Sequence, residues 1–294
     1  MSGLTLLAVG ALATVQDRGR IGWAHLGVPR AGALDAPAAA LANRVVGNGV
    51  DDAVIEVTLG GFAARLDGVD GLDGAAGGGR WAALTGAPAP LTLAGRTMPV
   101  GAPFWWPTGA ELRIGAPTTG VRSYLAVAGG IAVEPVLGSR ATDLLAGVGP
   151  DRLRAGDLVP LGAPAGTAYD LPTVRRPRGE GLRLQAGPRA EWFTTAARRL
   201  LVEAEWTVRP DSDRIGMRLA GPMIERETTY RGRELASEPM VLGAVQIPPQ
   251  GQPIVFLADH PPTGGYPVIG VVDPDDLWQC AQVRPGDRLR FRNG

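Results

Sequence analysis

The chain has 294 residues, 45% of them hydrophobic, enough to form one large or two medium cores. Its 29 basic and 29 acidic residues cancel, so no net field draws it to nucleic acid or an anionic membrane surface. Every residue in the basic count is arginine, so these 294 residues hold no Schiff-base lysine, no P-loop lysine and no lysine to carry biotin or lipoate.

The first ten residues lack a basic n-region before their short apolar stretch, and no apolar run spans a bilayer, which reads as a soluble cytoplasmic protein. With 43 glycines and 26 prolines, the pattern is many short strands joined by tight turns. A strand is predicted over 4–9. Asp35, Pro37 and the helix formers that follow predict a helix over 38–46, stopped at Gly47. Strands follow over 53–58, 81–85, 111–114 and 123–128. The glycine-rich stretch 71–80 lacks the lysine of a phosphate cradle and reads as a hairpin loop. Trp105 and Trp106 read as packing for a barrel or an interface. Residues 162–181, poor in apolar periodicity and carrying Arg175, Arg176 and Arg178, mark the boundary between halves. Beyond it come a strand over 182–186, a helix over 188–201 with Trp192, Ala196, Leu200 and Leu201 at helical spacing, and strands over 240–247, 254–258 and 268–272. Asp273 and Pro274 predict a short helix through Gln279, holding Cys280 as core packing, and a strand over 288–292 closes the chain. The fold class is all-β with minor helices. The domains are 1–165 and 182–294 with a linker over 166–181. Similar loops at Asp17-Arg-Gly-Arg20 and Asp213-Arg214-Ile-Gly216 hint that the halves are related.

Polar groups concentrate on turn-like backbone. One stretch runs from Thr14 through Gln16, Asp17, Arg18 and Arg20 to His25, Arg30 and Asp35. A second holds Ser139, Arg140, Thr142 and Asp143, and a third Ser212, Asp213 and Arg214. The fourth runs from Glu238 through Gln246 to Asp259-His260-Pro-Pro-Thr263-Gly264-Gly265-Tyr266-Pro267. There an apolar strand ends in a carboxylate, an imidazole and a hydroxyl before a glycine pair. That segment is either an ordinary turn or a loop presenting polar groups to a small ligand. Taken singly, these clusters brace loops; together, their arginines could bind carboxylate, carbonate or phosphate while acids and a histidine move protons. The two histidines lack metal-site spacing, so no metal site is expected. No Gly-x-Ser-x-Gly elbow or dinucleotide fingerprint is present.

The chain resembles the biotin-dependent carboxyltransferase (KipA) family, which includes allophanate hydrolase subunit 2 and the C subunit (PxpC) of bacterial 5-oxoprolinase. The marks are Val15-Gln-Asp-Arg-Gly-Arg20, Gly27-Val-Pro-Arg-Ala-Gly-Ala-Leu-Asp35, Tyr124-Leu-Ala-Val-Ala-Gly-Gly130, Gly138-Ser-Arg140, Ser212-Asp-Arg-Ile-Gly-Met-Arg-Leu219, Gly243-Ala-Val-Gln246, Leu257-Ala-Asp259, Thr263-Gly-Gly-Tyr-Pro267 and Arg284-Pro-Gly-Asp287. The resemblance implies two cyclophilin-like β-barrel domains in tandem. It implies a KipI-type (PxpB) partner, with a LamB/YcsF-type (PxpA) subunit joining them in 5-oxoprolinase, where ATP drives opening of 5-oxoproline to glutamate. ATP would be bound at, or shared with, a partner; biotin would enter only in trans, in a carboxyltransferase. A third alternative is a KipA-type regulator that antagonises a KipI-like kinase inhibitor. The implied proton-transfer residues are Asp259 and His260. Gln16, Asp17, Arg18, Arg30, Asp35, Ser139, Arg140, Asp213, Arg214, Gln246, Thr263, Gly264, Gly265 and Tyr266 are the implied substrate or anion binders. Many relatives read Asp-Arg-Gln-Thr-Thr where this chain has Asp259-His-Pro-Pro-Thr263, so its substrate need not be theirs. Ala141 loses a hydroxyl that relatives often carry, and Tyr266 leans away from urea.

Overall fold

The computed structural model describes residues 2–68, 78–166 and 181–294, so most of the glycine-rich stretch and nearly all of the expected linker lie outside the described residues. The chain forms two compact units. One draws on Met1–Arg20 and Ala31–Arg175, the other on Ile21–Arg30 and Arg176–Gly294. Residues 21–30, allotted to the first domain by sequence, group with the second unit. The body is mostly β, and no helix among the described residues is long and apolar enough to cross a membrane.

The first unit packs two antiparallel sheets around one core. A six-stranded sheet runs Leu158–Pro160, Gly3–Val9, Phe62–Asp67, Glu111–Ile114, Leu91–Leu93, Arg96–Thr97. A five-stranded sheet runs Leu12–Gln16, Val54–Thr58, Arg122–Val127, Gly79–Gly86, Phe104–Pro107. Side chains alternate across a strand, so Leu125 and Val127 enter the core shared with Leu4, Leu6, Phe62 and Trp106. Tyr124 and Ala126 take the opposite face, under helix α1 (Ala36–Val45), with Ala39, Ala42 and Val45. The Asp35 carboxylate caps α1 by accepting from the Ala38 N–H at 3.0 Å. Trp106 is fully buried, its indole N–H donating to the Ala110 carbonyl at 2.9 Å, while Trp105 stays half-exposed, edge-on to Trp81.

The second unit is an eight-stranded, nearly closed barrel sheet: Arg288–Leu289, Trp206–Val208, Gly216–Ala220, Ile254–Phe256, Ala244–Gln246, Val268–Val272, Leu182–Ala186, Phe291–Asn293. Its two edge strands are separated in the chain by Arg290 alone. The predicted strand 288–292 is therefore two strands, one on each side of the seam. Phe291–Asn293 pairs parallel with Leu182–Ala186, and the other pairs are antiparallel. The predicted strand 240–247 shortens to Ala244–Gln246 because Gly243, at φ 84°, turns the chain just before it. The predicted helix 188–201 divides into a 3-10 turn at Ala190–Trp192 and helix α2 (Thr195–Glu203), capped by the Thr194 hydroxyl accepting from Ala197 at 3.0 Å. Helix α3 (Leu277–Cys280) begins later than expected, since the Asp273 carboxylate closes a local turn on the Asp275 N–H at 2.9 Å. Cys280 is buried.

Two glycines in the first unit are set by contact as well as by torsion. A Cβ on Gly60 (φ +71) would lie 2.0 Å from the Gly115 carbonyl oxygen, and one on Gly10 (φ +63) would lie 1.9 Å from that of Gly60. Gly95 has a similar φ of +79 but nothing within 4 Å of such a Cβ. Gly95→Ala should cost only the left-handed backbone penalty of about 1–2 kcal/mol. Gly60→Ala should cost clearly more, since backbone must also move. Denaturant midpoints of the two variants check this, and equal shifts would contradict it.

Candidate functional site

The polar residues singled out in the sequence settle into separate networks. In the first unit Asp17 is a hub. One carboxylate oxygen accepts from the Gly19 N–H and the Ser139 hydroxyl, both at 2.7 Å, and the other from the Arg140 N–H at 2.6 Å. Ser139 in turn accepts from the Ala141 N–H at 3.0 Å, and the Arg140 Nε donates to the Val133 carbonyl at 2.7 Å. Gln16, fully buried, donates to the Thr14 hydroxyl at 3.0 Å and the Thr142 carbonyl at 3.1 Å. Arg20, equally buried, donates to the Val136 and Ala141 carbonyls. Gln16, Asp17, Ser139 and Arg140 are thus brought together, and their bonds hold two loops in register. Arg18 lies apart in an exposed ion pair with Asp51 at 3.3 Å, worth little in water. Asp35 serves as the α1 cap.

Three further buried groups, Glu56, Arg122 and Tyr124, support this unit. Glu56 accepts from the Leu34 N–H at 3.1 Å and lies 3.5 Å from the Arg122 Nε. The Tyr124 hydroxyl accepts from the Asp35 N–H at 2.7 Å. Burial, then the charges of Glu56 and Asp35, push the Tyr124 phenol well above its ordinary range, so it stays a neutral anchor. The one legible signal was an acid inside the apolar run 53–58.

In the second unit the strands Gly216–Ala220 and Ile254–Phe256 pair side by side, which sets the loop before one against the end of the other. The Asp259 N–H donates to the Arg214 carbonyl at 3.0 Å. Their side chains meet in a bidentate pair, Nε to Oδ2 at 2.9 Å and Nη2 to Oδ1 at 2.8 Å, both almost wholly removed from water. Asp259 was expected to transfer protons and Arg214 to bind substrate anions. Paired with each other in the fold, they also fix the corner from which His260 projects. Asp213 likewise turns that loop, accepting from Ile215 and Gly216 at 2.9 and 3.0 Å.

His260 is buried and stacks on Phe256 with ring centroids 5.9 Å apart. Its Nδ1 lies 2.8 Å from the Pro261 carbonyl. A carbonyl only accepts, so Nδ1 carries a proton toward it. Gln246 donates to the Tyr266 carbonyl at 2.9 Å, fastening the turn to the sheet. Thr263–Gly264 pairs with Glu238–Pro239, and Glu238 is clamped by Arg189, with Nε to carboxylate distances of 3.1 and 3.2 Å. A Cβ on Gly264 would lie 2.9 Å from the Gln246 amide nitrogen, so glycine keeps this approach open. Gly265 continues the turn, and the Tyr266 side chain is half-exposed. Arg30 belongs to the second unit, and burial lowers its guanidinium pKa. Arg189 and Phe256, not foreseen as site residues, brace and floor this corner.

The profile of the family described as "Carboxyltransferase domain, subdomain A and B" matches residues 26–293. The chain belongs to the carboxyltransferase-domain family. This carboxyltransferase-domain chain is 36% identical to the C subunit of 5-oxoprolinase from Escherichia coli (strain K12) over 292 residues, 98% of this chain and 90% of that protein. It is 31% identical over 306 residues to "Urea amidolyase" of Saccharomyces cerevisiae, 96% of this chain but 16% of that protein. Among solved structures, TTHA0988 superposes with a TM-score of 0.86 at 38% identity, over 100% of this chain and 56% of that one. The Kluyveromyces lactis urea carboxylase superposes at 0.87 and 27% identity, over 99% of this chain and 27% of that one.

Removing one partner of the buried pair should strand the other charge. Asp259→Leu or Arg214→Met alone should cost about 3–5 kcal/mol, whereas the two together should recover much of that loss. Urea unfolding of single and double variants gives the coupling; purely additive losses would show that the pair acts as two independent groups.

Proposed function

We propose that this chain is the C-type subunit of a multi-subunit ATP-dependent amidohydrolase of the 5-oxoprolinase kind, converting 5-oxoproline and ATP to glutamate. The observation that carries this reading is the near end-to-end match with the E. coli protein, 98% of this chain and 90% of that one, against 16% of the yeast urea amidolyase. The absence of lysine from these 294 residues supports it further, because carboxyl transfer would need biotin carried on another chain. The partners under this proposal are a KipI-type subunit and a LamB/YcsF-type subunit, and ATP is held by the assembly.

In the proposed reaction the lactam oxygen takes the terminal phosphoryl group of ATP, releasing ADP. Water adds to the activated carbon and gives up its proton as the ring C–N bond breaks, leaving an acyl phosphate. A second water hydrolyses that to glutamate and phosphate. His260 Nε2 is the proposed proton acceptor, held by the Nδ1 bond to Pro261 and the Phe256 stack. Gln246, Thr263 and Tyr266 orient substrate on the turn, with the Gly264-Gly265 backbone allowing close approach. Arg30 is the proposed anion contact, while Arg214 and Asp259 position the corner.

The test is ATP- and 5-oxoproline-dependent glutamate formation by the assembled complex, with this chain omitted as control. Turnover should vanish without the chain, and His260→Ala in the assembled complex should lower kcat by about 100-fold or more. Full assembly without turnover overturns the proposal. Activity that instead needs a biotinylated carrier and is blocked by avidin would favour carboxyl transfer, the reading that the urea amidolyase and urea carboxylase likenesses support.

A further inference from the structure

The second unit contains an open cleft of about 400 Å³, within the range of small-ligand sites. Leu219, Pro248, Pro253 and Ile254 give it an apolar lining, which Tyr266 shares. Its charges do not balance. Arg209 and Arg218 both line it, yet they share one carboxylate: Asp211 lies 2.9 Å from the Arg209 Nε and 3.8 Å from the Arg218 Nε. Two guanidinium groups facing one acid leave a net positive charge beside an apolar lining.

A third guanidinium, that of Arg226, lies outside the cleft lining but is bound to the residue that precedes it. Arg226 donates to the Arg233 carbonyl at 3.2 Å and to the Ile247 carbonyl at 3.3 Å, and its guanidinium carbon sits 5.9 Å from the Trp192 ring. Ile247 precedes the cleft residue Pro248, and its N–H donates to the Pro267 carbonyl at 3.1 Å, immediately after Tyr266. Arg226 forms no ion pair among the described residues; its neighbour Glu225 is taken by Arg231 at 3.4 Å. Burial lowers the Arg226 pKa, and of the neighbouring groups only the Tyr266 phenolate would oppose that. Its two carbonyl bonds and the Trp192 face offset part of that desolvation, and a bound anion would offset more.

We propose that the Tyr266 cleft binds a small oxyanion, held by the Arg209–Arg218 pair and favoured by the further positive charge of Arg226, with Tyr266 and the apolar lining receiving the ligand's flat or apolar body. Guanidinium groups suit carboxylate and phosphate alike, so the shared chemistry is a planar or tetrahedral oxyanion on a small organic molecule. A cleft of this volume suits a small molecule. The proposal shares Tyr266 with the 5-oxoprolinase reading but draws its charge from Arg209, Arg218 and Arg226, which that reading does not use, so the two can fail separately.

The experiment is calorimetric titration of the full chain with pyrophosphate, ATP and 5-oxoproline separately, at low and high salt. At least one should bind, more weakly at high salt, and Arg218→Gln and Arg226→Gln should each weaken it by about ten-fold or more. Arg226→Lys, which keeps the charge, should retain part of the affinity, and thermal melts confirm that each variant folds. Binding of pyrophosphate and ATP assigns a phosphate ligand; binding of 5-oxoproline alone assigns a carboxylate. Binding to none of the three, or equal binding by wild type and both glutamine variants, overturns the proposal. Turnover by the assembled complex without oxyanion binding to this chain would overturn the cleft and leave the 5-oxoprolinase reading intact. Binding here without turnover would do the reverse.

Discussion

Two opposite charges held almost wholly out of water at the end of paired strands constrain everything around them. Arg214 and Asp259 are tolerable inside the second unit only because the bidentate geometry satisfies the carboxylate and two guanidinium nitrogens, and because the backbone bond between the same two residues prevents them from drifting apart. Such a pair adds little to stability compared with apolar packing, but it tolerates one arrangement of the two loops. The next residue, His260, is thereby delivered to a defined place. The closing turn gains its precision from that corner, from Gln246 and from the Arg189–Glu238 clamp.

The first unit solves the same problem with a different device. Asp17 collects two backbone N–H groups and a hydroxyl, and so its acceptors hold the 17–20 loop to the 139–141 loop. Asp35 and Glu56 do likewise around the start of α1, where the neutral Tyr124 phenol receives a backbone N–H. Much of the polar density that looks catalytic in the sequence therefore sets loop geometry. The groups proposed for chemistry are fewer: an imidazole on a braced corner, a carboxamide and a hydroxyl on a glycine-opened turn, and guanidinium groups that outnumber the acid beside them. An all-arginine complement of cations sharpens this, since arginine keeps its charge and cannot serve as an amine nucleophile or a carrier attachment point.

Much of the architecture was legible in the chain. Apolar runs bounded by glycine and proline marked the strands at 4–9, 53–58, 111–114, 182–186 and 268–272, because a half-buried pleat demands that pattern wherever it occurs. Asp35 and Pro37 announced α1 because a helix start must satisfy its own free N–H groups locally. The ordered motifs identified the carboxyltransferase-domain family. The chain also determined by itself that no lysine chemistry is available within it.

Tertiary structure decided what those residues do. Nothing near Asp259 in sequence discloses that Arg214, 45 positions earlier, would claim both of its oxygens. Nothing local in 288–292 reveals that Arg290 stands at the seam of a barrel, since a seam exists only once eight strands have found their order. The cleft beside Tyr266 draws Arg209 and Arg218 from one strand region and Pro248 to Ile254 from another, so its charge imbalance belongs to no segment. Strand and cap signals act over a few residues and can be read in order along the chain. Ion pairing and desolvation act through space, and only the folded chain sets those distances.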